Sequence, residues 1–415
     1  MTASGQPMKL SSLFMRTVET DVVVIGGGVA GLWTLAQLRK AGYEALLLEN
    51  NRLGGGQTLC SQGIIHGGMK YALGGLLSAE TESIANMPET WLQCLKGQGE
   101  VDLRGVRMLS EHHYMWSERS LASRFTTFFG SKMLRGRIEA IQGDERPELL
   151  RDPSFKGNVY RLNDIVLDTY SLIETLAHAH KSRIYKVTPQ NCHLEVDDRH
   201  HTKAIFITAA GTEPIRIHPR TVIFTAGRGN QELLNDTGLK TPQMQLRPLH
   251  MVMMQHADLP DLYAHCIGTS AKPRVTITTH PGHDGQKIWY IGGELAERGV
   301  ERDDRLQIEE AMQEIQALFP WKSFTGARWK TLRVDRAEPA QENFLKPDNA
   351  FAQMHGNNII GWPTKLALAP NLGQQILDLL KADQIHPSAP VLQEPLPLLF
   401  PEFGRSISDI MAGVN

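Results

Sequence analysis

The sequence predicts an α/β protein in two interleaved lobes. One is a dinucleotide-binding lobe on a parallel sheet, and the other an α+β lobe built on a mostly antiparallel sheet. Three observations carry that expectation. A buried-type strand, a glycine-rich turn, a helix and a second strand follow one another between Asp21 and Asn50. Several later stretches alternate apolar and polar residues with period two, as antiparallel strands do when one face is covered. The chain, at 415 residues, is also too long for one ordinary core.

The first element is the apolar, β-branched run Val22 to Ile25, suited to a strand buried on both faces. Gly26, Gly28 and Gly31 follow as GxGxxG, and Val29 and Ala30 begin the helix between them. Gly26 permits the tight turn, Gly28 lets a diphosphate approach the backbone, and Gly31 lets helix and strand pack closely. The helix N-terminus offers amide N–H groups and the positive end of its dipole. Leu32, Leu35, Ala36 and Leu38 continue at helical spacing, and the helix stops near Gly42. Ala45 to Leu48 form a second strand ending in Glu49, where a carboxylate can accept hydrogen bonds from an adenosine ribose. This is a Rossmann-like unit. Asn50 and then LGGGQT lead into SQGIIHGGMKYALGG, residues 61–75, which holds five glycines around His66, Lys70 and Tyr71. A backbone so stripped of side chains suits close approach of a large flat group.

In the second lobe, strands are expected within Val106 to Trp116, Leu246 to Gln255, Arg274 to Thr279 and Lys287 to Gly292. Ile308 to Phe319 is apolar at helical intervals and ends at Pro320, so it reads as a helix. The tail, 386–415, starts proline-rich and reads as an irregular extension.

Composition narrows the function. An apolar fraction of 41% and a charged fraction of 21% are those of a soluble globular protein. A net charge of −2 gives no reason to expect nucleic acid, which selects for a basic face. Cys60, Cys94, Cys192 and Cys266 form no CxxC pair, which argues against zinc or a disulfide framework and fits a reducing compartment. The His112–His113 and His200–His201 pairs lack convergent carboxylates or cysteines and read as exposed residues, so no metal is expected. The first twenty residues lack a signal-type apolar stretch and no later run reaches about 18 apolar residues. A cytoplasmic protein with no transmembrane segment is expected.

The order of fingerprint, glycine-rich loop and S-x-G-x-I-H-x-G-x-x-Y, Ser61 to Tyr71, resembles the D-amino-acid-oxidase-like FAD superfamily. Within it, the stretch is most similar to glycerol-3-phosphate dehydrogenases and L-2-hydroxyglutarate oxidases. Three later landmarks fit the likeness: Asp164 to Val187, TVIFTAGRG from Thr221 to Gly229, and IIGWPTKLALAPNLGQQILDLL from Ile359 to Leu380. The resemblance implies FAD as cofactor and an FAD lobe spanning 1–85, about 150–235 and about 336–385. The substrate lobe would take 86–149 and 236–335. Cofactor contacts are implied at Gly56, Gln57, Thr58, Ser61, Gln62, Gly63, Ile65 and His66, at the Val187 backbone, and at Thr225, Ala226 and Gly227. Gly361, Pro363, Thr364, Lys365, Asn371 and Leu372 are expected to close over the flavin.

The chemistry asks for further residues. A flavin gains negative charge as it accepts hydride, so the helix opening near Asn371 and the Lys365 ammonium are candidates to stabilise it. In T-L-R-V, Arg333 stands where the family carries a G-L-R-P arginine that clamps a substrate carboxylate, yet the glycine and proline are missing. Arg336 is an alternative, and a structural ion pair is the plain reading. Lys70 would meet a substrate anion, with Tyr71 beside it. Oxidising an alcohol requires a base, for which His66 is the first candidate and His250 and His280 are rivals; an amine binds neutral and needs none. His66 is also a possible point of covalent FAD attachment. The expected function is FAD-dependent oxidation of a small, anionic 2-hydroxy acid, polyol phosphate or amino acid. Electrons would pass on to oxygen, a quinone or another carrier. The alternatives are an FAD monooxygenase, a flavin-dependent nucleoside-modifying enzyme and a non-catalytic flavin-binding scaffold.

Overall fold

The structure, a computed structural model, describes residues 15–68, 84–118, 138–269, 272–341, 349–388 and 394–414. Lys70 and Tyr71 lie outside the described residues.

The chain crosses repeatedly between two lobes. It opens in the first with β1 (Arg16–Ile25), α1 (Val29–Lys40), β2 (Ala45–Glu49), β3 (Ile64–Ile65), α2 (Met87–Leu95) and β4 (Met108–Ser110). The second sheet receives β5 (His113–Ser117), β6 (Ile138–Ile141) and β7 (Asn158–Leu162). The chain returns through β8 (Ile165–Leu167), α3 (Thr169–Ala179), β9 (Ile184–Lys186), β10 (Cys192–Val196), β11 (Thr202–Ile207), β12 (Ile215–Phe224) and α4 (Asn230–Asp236). A second excursion adds β13 (Met244–His256), β14 (Ala264–Ile267), β15 (Pro273–Pro281), β16 (Lys287–Gly292), α5 (Glu294–Arg298), α6 (Asp304–Leu318) and β17 (Arg328–Pro339). The last return is β18 (Phe351–His355), β19 (Asn358–Trp362) and α7 (Ala369–Ala382), with α8 (Ile407–Ala412) in the tail.

In the first lobe β19, β12, β1, β2 and β9 are parallel neighbours in that order. Val22, Val23 and Val24 of β1 are fully buried, which is why that strand reads as a continuous apolar run. One face packs on α1, α3 and α7 through Leu32, Ile173 and Ile376, and the other forms a core with Leu46, Ile205 and Phe224.

The second sheet runs β17-β13-β16-β15-β14-β5-β7-β6, antiparallel throughout except for β14 with β5. Its strands alternate cleanly. Val252, Met254, Val275, Ile277, Trp289 and Ile291 face α6 on the outer side. Met251, Met253, Ile288, Tyr290 and Val334 face inward, against α8 and Cys60.

The expected strands are present, β16 with its expected limits. The helix expected from Ile308 starts earlier, at Asp304, because the Asp303 side chain caps it by accepting from the Leu306 N–H at 2.8 Å. Its first turn is charged and shows no apolar period. Around the expected lobe boundaries, Trp91 of α2 is buried beside Trp33 of α1, ring centroids 4.7 Å apart, so 87–106 packs with the first core. β7, beyond residue 150, pairs with β5 and β6 in the second sheet. The tail touches both lobes: Leu53 bridges Phe403, and Met411 packs on the inner face of the second sheet.

Candidate active site

The glycine fingerprint is a tight junction between β1, α1 and β12. Gly26 takes φ +112, and a Cβ there would lie 2.6 Å from the Ala226 Cα. A Cβ on Gly31 would lie 1.9 Å from the Gly26 carbonyl oxygen. These two positions accept no side chain. Thr225 locks the junction from β12, its N–H donating to the Ile25 carbonyl at 2.9 Å. Helix α1 starts at Val29 after an extended Gly28, with no side-chain cap and no acidic residue in its first turn. Such an end is prepared for an anion. The Val29 N–H donates to the Thr58 hydroxyl at 3.1 Å, which brings the second glycine-rich loop onto the first. Ala30 is buried behind it, and Gly56 has open space around it.

Glu49 closes the nucleotide side. Its carboxylate is 8% exposed and accepts from the Gly27 N–H at 2.5 Å and the Asn51 N–H at 2.7 Å. Burial pushes its pKa up, and those two N–H groups oppose the shift. Asn50 beside it is exposed. Val187 is adjacent, but its N–H donates to the Glu49 carbonyl at 2.9 Å. That N–H is therefore not available for the cofactor contact expected at the Val187 backbone.

The loop after Thr58 runs between the lobes. Ser61 has a buried hydroxyl with no partner among the described residues. Gln62 points the other way from its expected role. Its amide donates to the carbonyls of Thr276 at 3.0 Å and Tyr290 at 2.9 Å, so it holds the second sheet. Gln57 acts similarly, accepting from the Ala337 N–H at 3.0 Å. Gly63, at φ +71, passes so close to β8 that a Cβ would lie 2.0 Å from the Leu167 carbonyl oxygen. Ile65 is fully buried in β3, paired with Ile165, and His66 follows it, also buried.

The closing segment carries a strained residue. Thr364, β-branched, sits at φ +59 with its hydroxyl donating to the Asn349 carbonyl at 3.0 Å. It follows Gly361 and Pro363 and precedes Lys365, whose side chain is buried. Helix α7 begins at Ala369, earlier than expected at Asn371, again without a side-chain cap. Asn371 bonds within the helix to Gln375 and Leu372 is fully buried. One contributor was not foreseen. Buried Asn230 accepts from the Ala226 N–H at 2.8 Å and donates to the Gly361 carbonyl at 3.2 Å, tying the Ala226–Gly227 turn to the closing segment. Its sequence signal was slight, an asparagine four residues past Ala226.

Arg333 and His250 are not at this junction. They are register partners on β13 and β17, and both point to the outer face. Arg333 is exposed and donates to the Val300 carbonyl at 2.8 Å and the Arg302 carbonyl at 2.5 Å. His250 bonds the Gly299 carbonyl at 2.9 Å and Asp304 at 3.1 Å. Parity decides this: residues adjacent to inward Leu332, Val334 and Met251 must face outward. Arg336 spends its guanidinium on the Arg247 carbonyl and Glu297. The inner face instead shows His265, His113 and His280, of which only His280 was a sequence candidate. His113 is fully buried, not exposed, with its ring 4.2 Å from that of His265. No cluster of metal ligands occurs among the described residues.

These features fit a bound FAD: a glycine junction where side chains are excluded, an uncapped helix start, a ribose-side carboxylate and a buried serine hydroxyl awaiting a partner. Comparison with known proteins agrees. The family model for FAD dependent oxidoreductases (DAO) matches residues 21–349. The Pseudomonas aeruginosa protein PA4991, described as a probable FAD-dependent oxidoreductase, is 49% identical over 377 residues, 90% of this chain and 94% of that one. The crystal structure of PA4991 superposes with a TM-score of 0.82 at 43% identity, covering 96% of this chain and 99% of that one. Glycine oxidase from Geobacillus kaustophilus shares the fold at 14% identity, with a TM-score of 0.62 over 92% of this chain and 100% of that one. The chain belongs to the DAO family of FAD-dependent oxidoreductases, and its cofactor is FAD.

Proposed function

We propose that this enzyme dehydrogenates a small polar substrate, a 2-hydroxy acid, polyol phosphate or amino acid, held between the flavin and the inner face of the second sheet. The observation that carries the reading is the docking of Cys60–Gln62 onto β15 and β16. It sets the flavin loop against a sheet face that is polar and buried at His265, Thr276, Thr278 and His280. When bound, FAD supplies a two-electron acceptor for the substrate's C–H hydride.

The chain's own residues do the rest. Gly26, Gly28, Gly31, Val29 and Thr58 would seat the diphosphate, and Glu49 with the Val187 backbone would address the adenosine. Ser61, Gly63, Ile65 and His66 would hold the ring together with Gly227, Gly361, Pro363, Thr364, Lys365 and the start of α7. The buried Lys365 ammonium and the uncapped helix stabilise negative charge that develops there. An imidazole on the inner face accepts the proton that an alcohol must lose, so the alcohol branch has the group it needs. Electrons then leave to oxygen, a quinone or another carrier. No helix among the described residues is long and apolar enough to cross a membrane. All four cysteines are free, which supports a reducing, cytoplasmic location.

An anaerobic screen tests this. Glycolate, glycine and glycerol 3-phosphate, each with close analogues, are mixed with the FAD-loaded enzyme and the flavin absorbance is followed. Bleaching by one class and not the others supports the reading and names the branch. Flavin bleached by a nicotinamide cofactor and by none of the three classes would overturn it in favour of a monooxygenase.

A further inference from the structure

The loop 50–58 belongs to no helix or strand, yet it walls one side of the glycine junction. Its Gly54 N–H donates to the Gly27 carbonyl at 2.8 Å, and its Thr58 hydroxyl accepts from the Val29 N–H. A Cβ on Gly27 would lie 2.5 Å from Leu53 Cδ2, so Leu53 is pressed against the fingerprint turn. Leu53 is fully buried, and the C-terminal tail bonds both of its backbone groups. Its N–H donates to the Glu402 carbonyl at 2.8 Å, and its carbonyl accepts from the Gly404 N–H at 2.9 Å. A Cβ on Gly404 would lie 2.5 Å from the Gly55 Cα, so the two backbones touch. If the tail moved away, two backbone groups of a buried residue would lose their partners and the loop its shape.

The tail is anchored at three places. Upstream, the Leu399 carbonyl accepts from the Lys186 N–H at 2.7 Å, and the Leu396 N–H donates to the Tyr185 hydroxyl at 3.1 Å. In the middle, the Phe403 ring packs on Tyr170 and His178 of α3, with centroids 6.0 and 5.5 Å away. Downstream, α8 lies on the other lobe. Its Ile407 and Met411, 4% and 3% exposed, pack with Met251, Met253, Ile288 and Val334. Ser406 and Asp409 cap that helix mutually, Asp409 lies 2.7 Å from His283 Nε2, and Lys330 donates to the Ile410 carbonyl at 3.0 Å. Beside its first turn is a cavity of about 470 Å³ lined by Arg107, His280, His283 and Ser408. A six-residue helix, packed on one side and bordered by open space on another, is the anchor that lets go most readily.

We propose that residues 396–411 are a clasp on the cofactor loop. Closed, the clasp holds loop 50–58 against the fingerprint turn, and FAD enters or leaves when α8 and the 402–404 bridge let go. It rests on the reading above, that the diphosphate and adenosine are seated by Gly26 to Gly31, Glu49 and Thr58. Val29, Glu49 and Thr58 are 5%, 8% and 9% exposed, so a group as large as FAD reaches them when a wall of the seat moves. β1, β2 and β12 are hydrogen-bonded neighbours within one buried sheet, and α1 is packed on it, so none of them moves alone. The loop is the wall free of such ties, and the tail is what pins it. Bound FAD in turn holds the clasp shut, because a ligand that the closed form binds and the open form does not suppresses opening by mass action.

Trypsin reads the opening without any substrate. Arg405 is exposed between the bridge and α8, and cleavage there needs the chain around it to come free, so its rate follows the open population. Lys240, exposed in the turn before β13, is the reference for general loosening. Full-length protein loaded with FAD and the same protein stripped of it are digested side by side, and both cuts are followed by mass. FAD at about 100 times its Kd should slow the Arg405 cut at least about 10-fold more than the Lys240 cut. Equal slowing at both sites, or none at Arg405, would overturn the clasp. A second arm follows flavin release from full-length variants on dilution. D409A, which removes a cap and the His283 contact on the far lobe, should release flavin about 10-fold faster. I315A, which opens a cavity on the outer face of the same sheet, should stay within about 2-fold of wild type. A folded D409A that releases flavin no faster than I315A would overturn the clasp and leave the seat standing. Undiminished flavin binding by G31A would overturn the seat, and the clasp with it.

Discussion

His280 shows what burial does to a single titratable side chain. Its imidazole is held near a pKa of about 4 because charging it would strand a cation in the sheet. The unfolded chain returns it to about 6.5, so the unfolded state binds more protons whenever the pH lies below that value. The stabilisation from keeping His280 neutral is therefore full above pH ~6.5 and is lost progressively as the pH falls toward 4. At pH 5 the loss amounts to about 2 kcal/mol. Urea unfolding at pH 7 and pH 5 should show that drop in wild type, and H280Q should remove most of it. An equal drop in both would mean that other groups govern the acid limb. Glu49 bends in the other sense. Its pKa is raised, so its burial weighs against folding as the pH rises through the carboxylate range, and the N–H groups of Gly27 and Asn51 limit the penalty.

At the scale of elements, β1, the glycine turn, α1 and β2 pack so tightly that composition dictates geometry. G31A would press a methyl group against the Gly26 carbonyl, a backbone atom that cannot move aside without breaking the turn. The expected cost is about 1–3 kcal/mol with loss of bound flavin, whereas G56A, with nothing nearby, should stay within about 0.5 kcal/mol. Thermal unfolding of the two apoproteins checks the contrast. These elements were legible in the sequence because each physical demand leaves a residue signature: glycine where Cβ is excluded, β-branched runs where both faces are buried. The same holds for β15, where Val275 and Ile277 alternate with Thr276 and Thr278, while β13 and β16 carry the apolar runs Met251 to Met254 and Ile288 to Ile291 because both of their faces are buried. β17 escaped notice as a twelve-residue strand because its outer positions carry Arg333 and Asp335, and its pairing with β13 comes from distant chain. Arg333 failed as a clamp for a related reason. A motif places a residue along the chain, but strand parity decides which face it meets. His113 and His265 were missed for the converse reason, since two histidines far apart in sequence show nothing of each other until β5 and β14 pair in parallel.

At the scale of the whole molecule, packing rather than composition decides where the chain passes from one core to the other. Trp91 joins the first core only because Trp33 waits there, and no local pattern marks that meeting. The junction itself depends on few polar groups. Gln62 reaches across the lobes to two carbonyls, Tyr290 returns a hydrogen bond from its hydroxyl to the Cys60 carbonyl at 2.8 Å, and Gly292 lacks a side chain where Gln62 and Met251 fill the space. Substituting Gln62 by Ala would strip both carbonyls of a donor in a partly buried seam, at about 1–3 kcal/mol for each group left unsatisfied. Y290F would remove one donor and cost about 1 kcal/mol. The two bonds made by Gln62 sit on the loop proposed to line the flavin, so Q62A should also loosen the cofactor, while a purely local defect would not. The expected result is an unfolding free energy lower by about 2–4 kcal/mol and faster release of flavin on dilution, read by flavin fluorescence. A Q62A protein as stable as wild type, with flavin retained, would show that the lobes are held by their apolar contacts alone, with the amide a passenger in the seam.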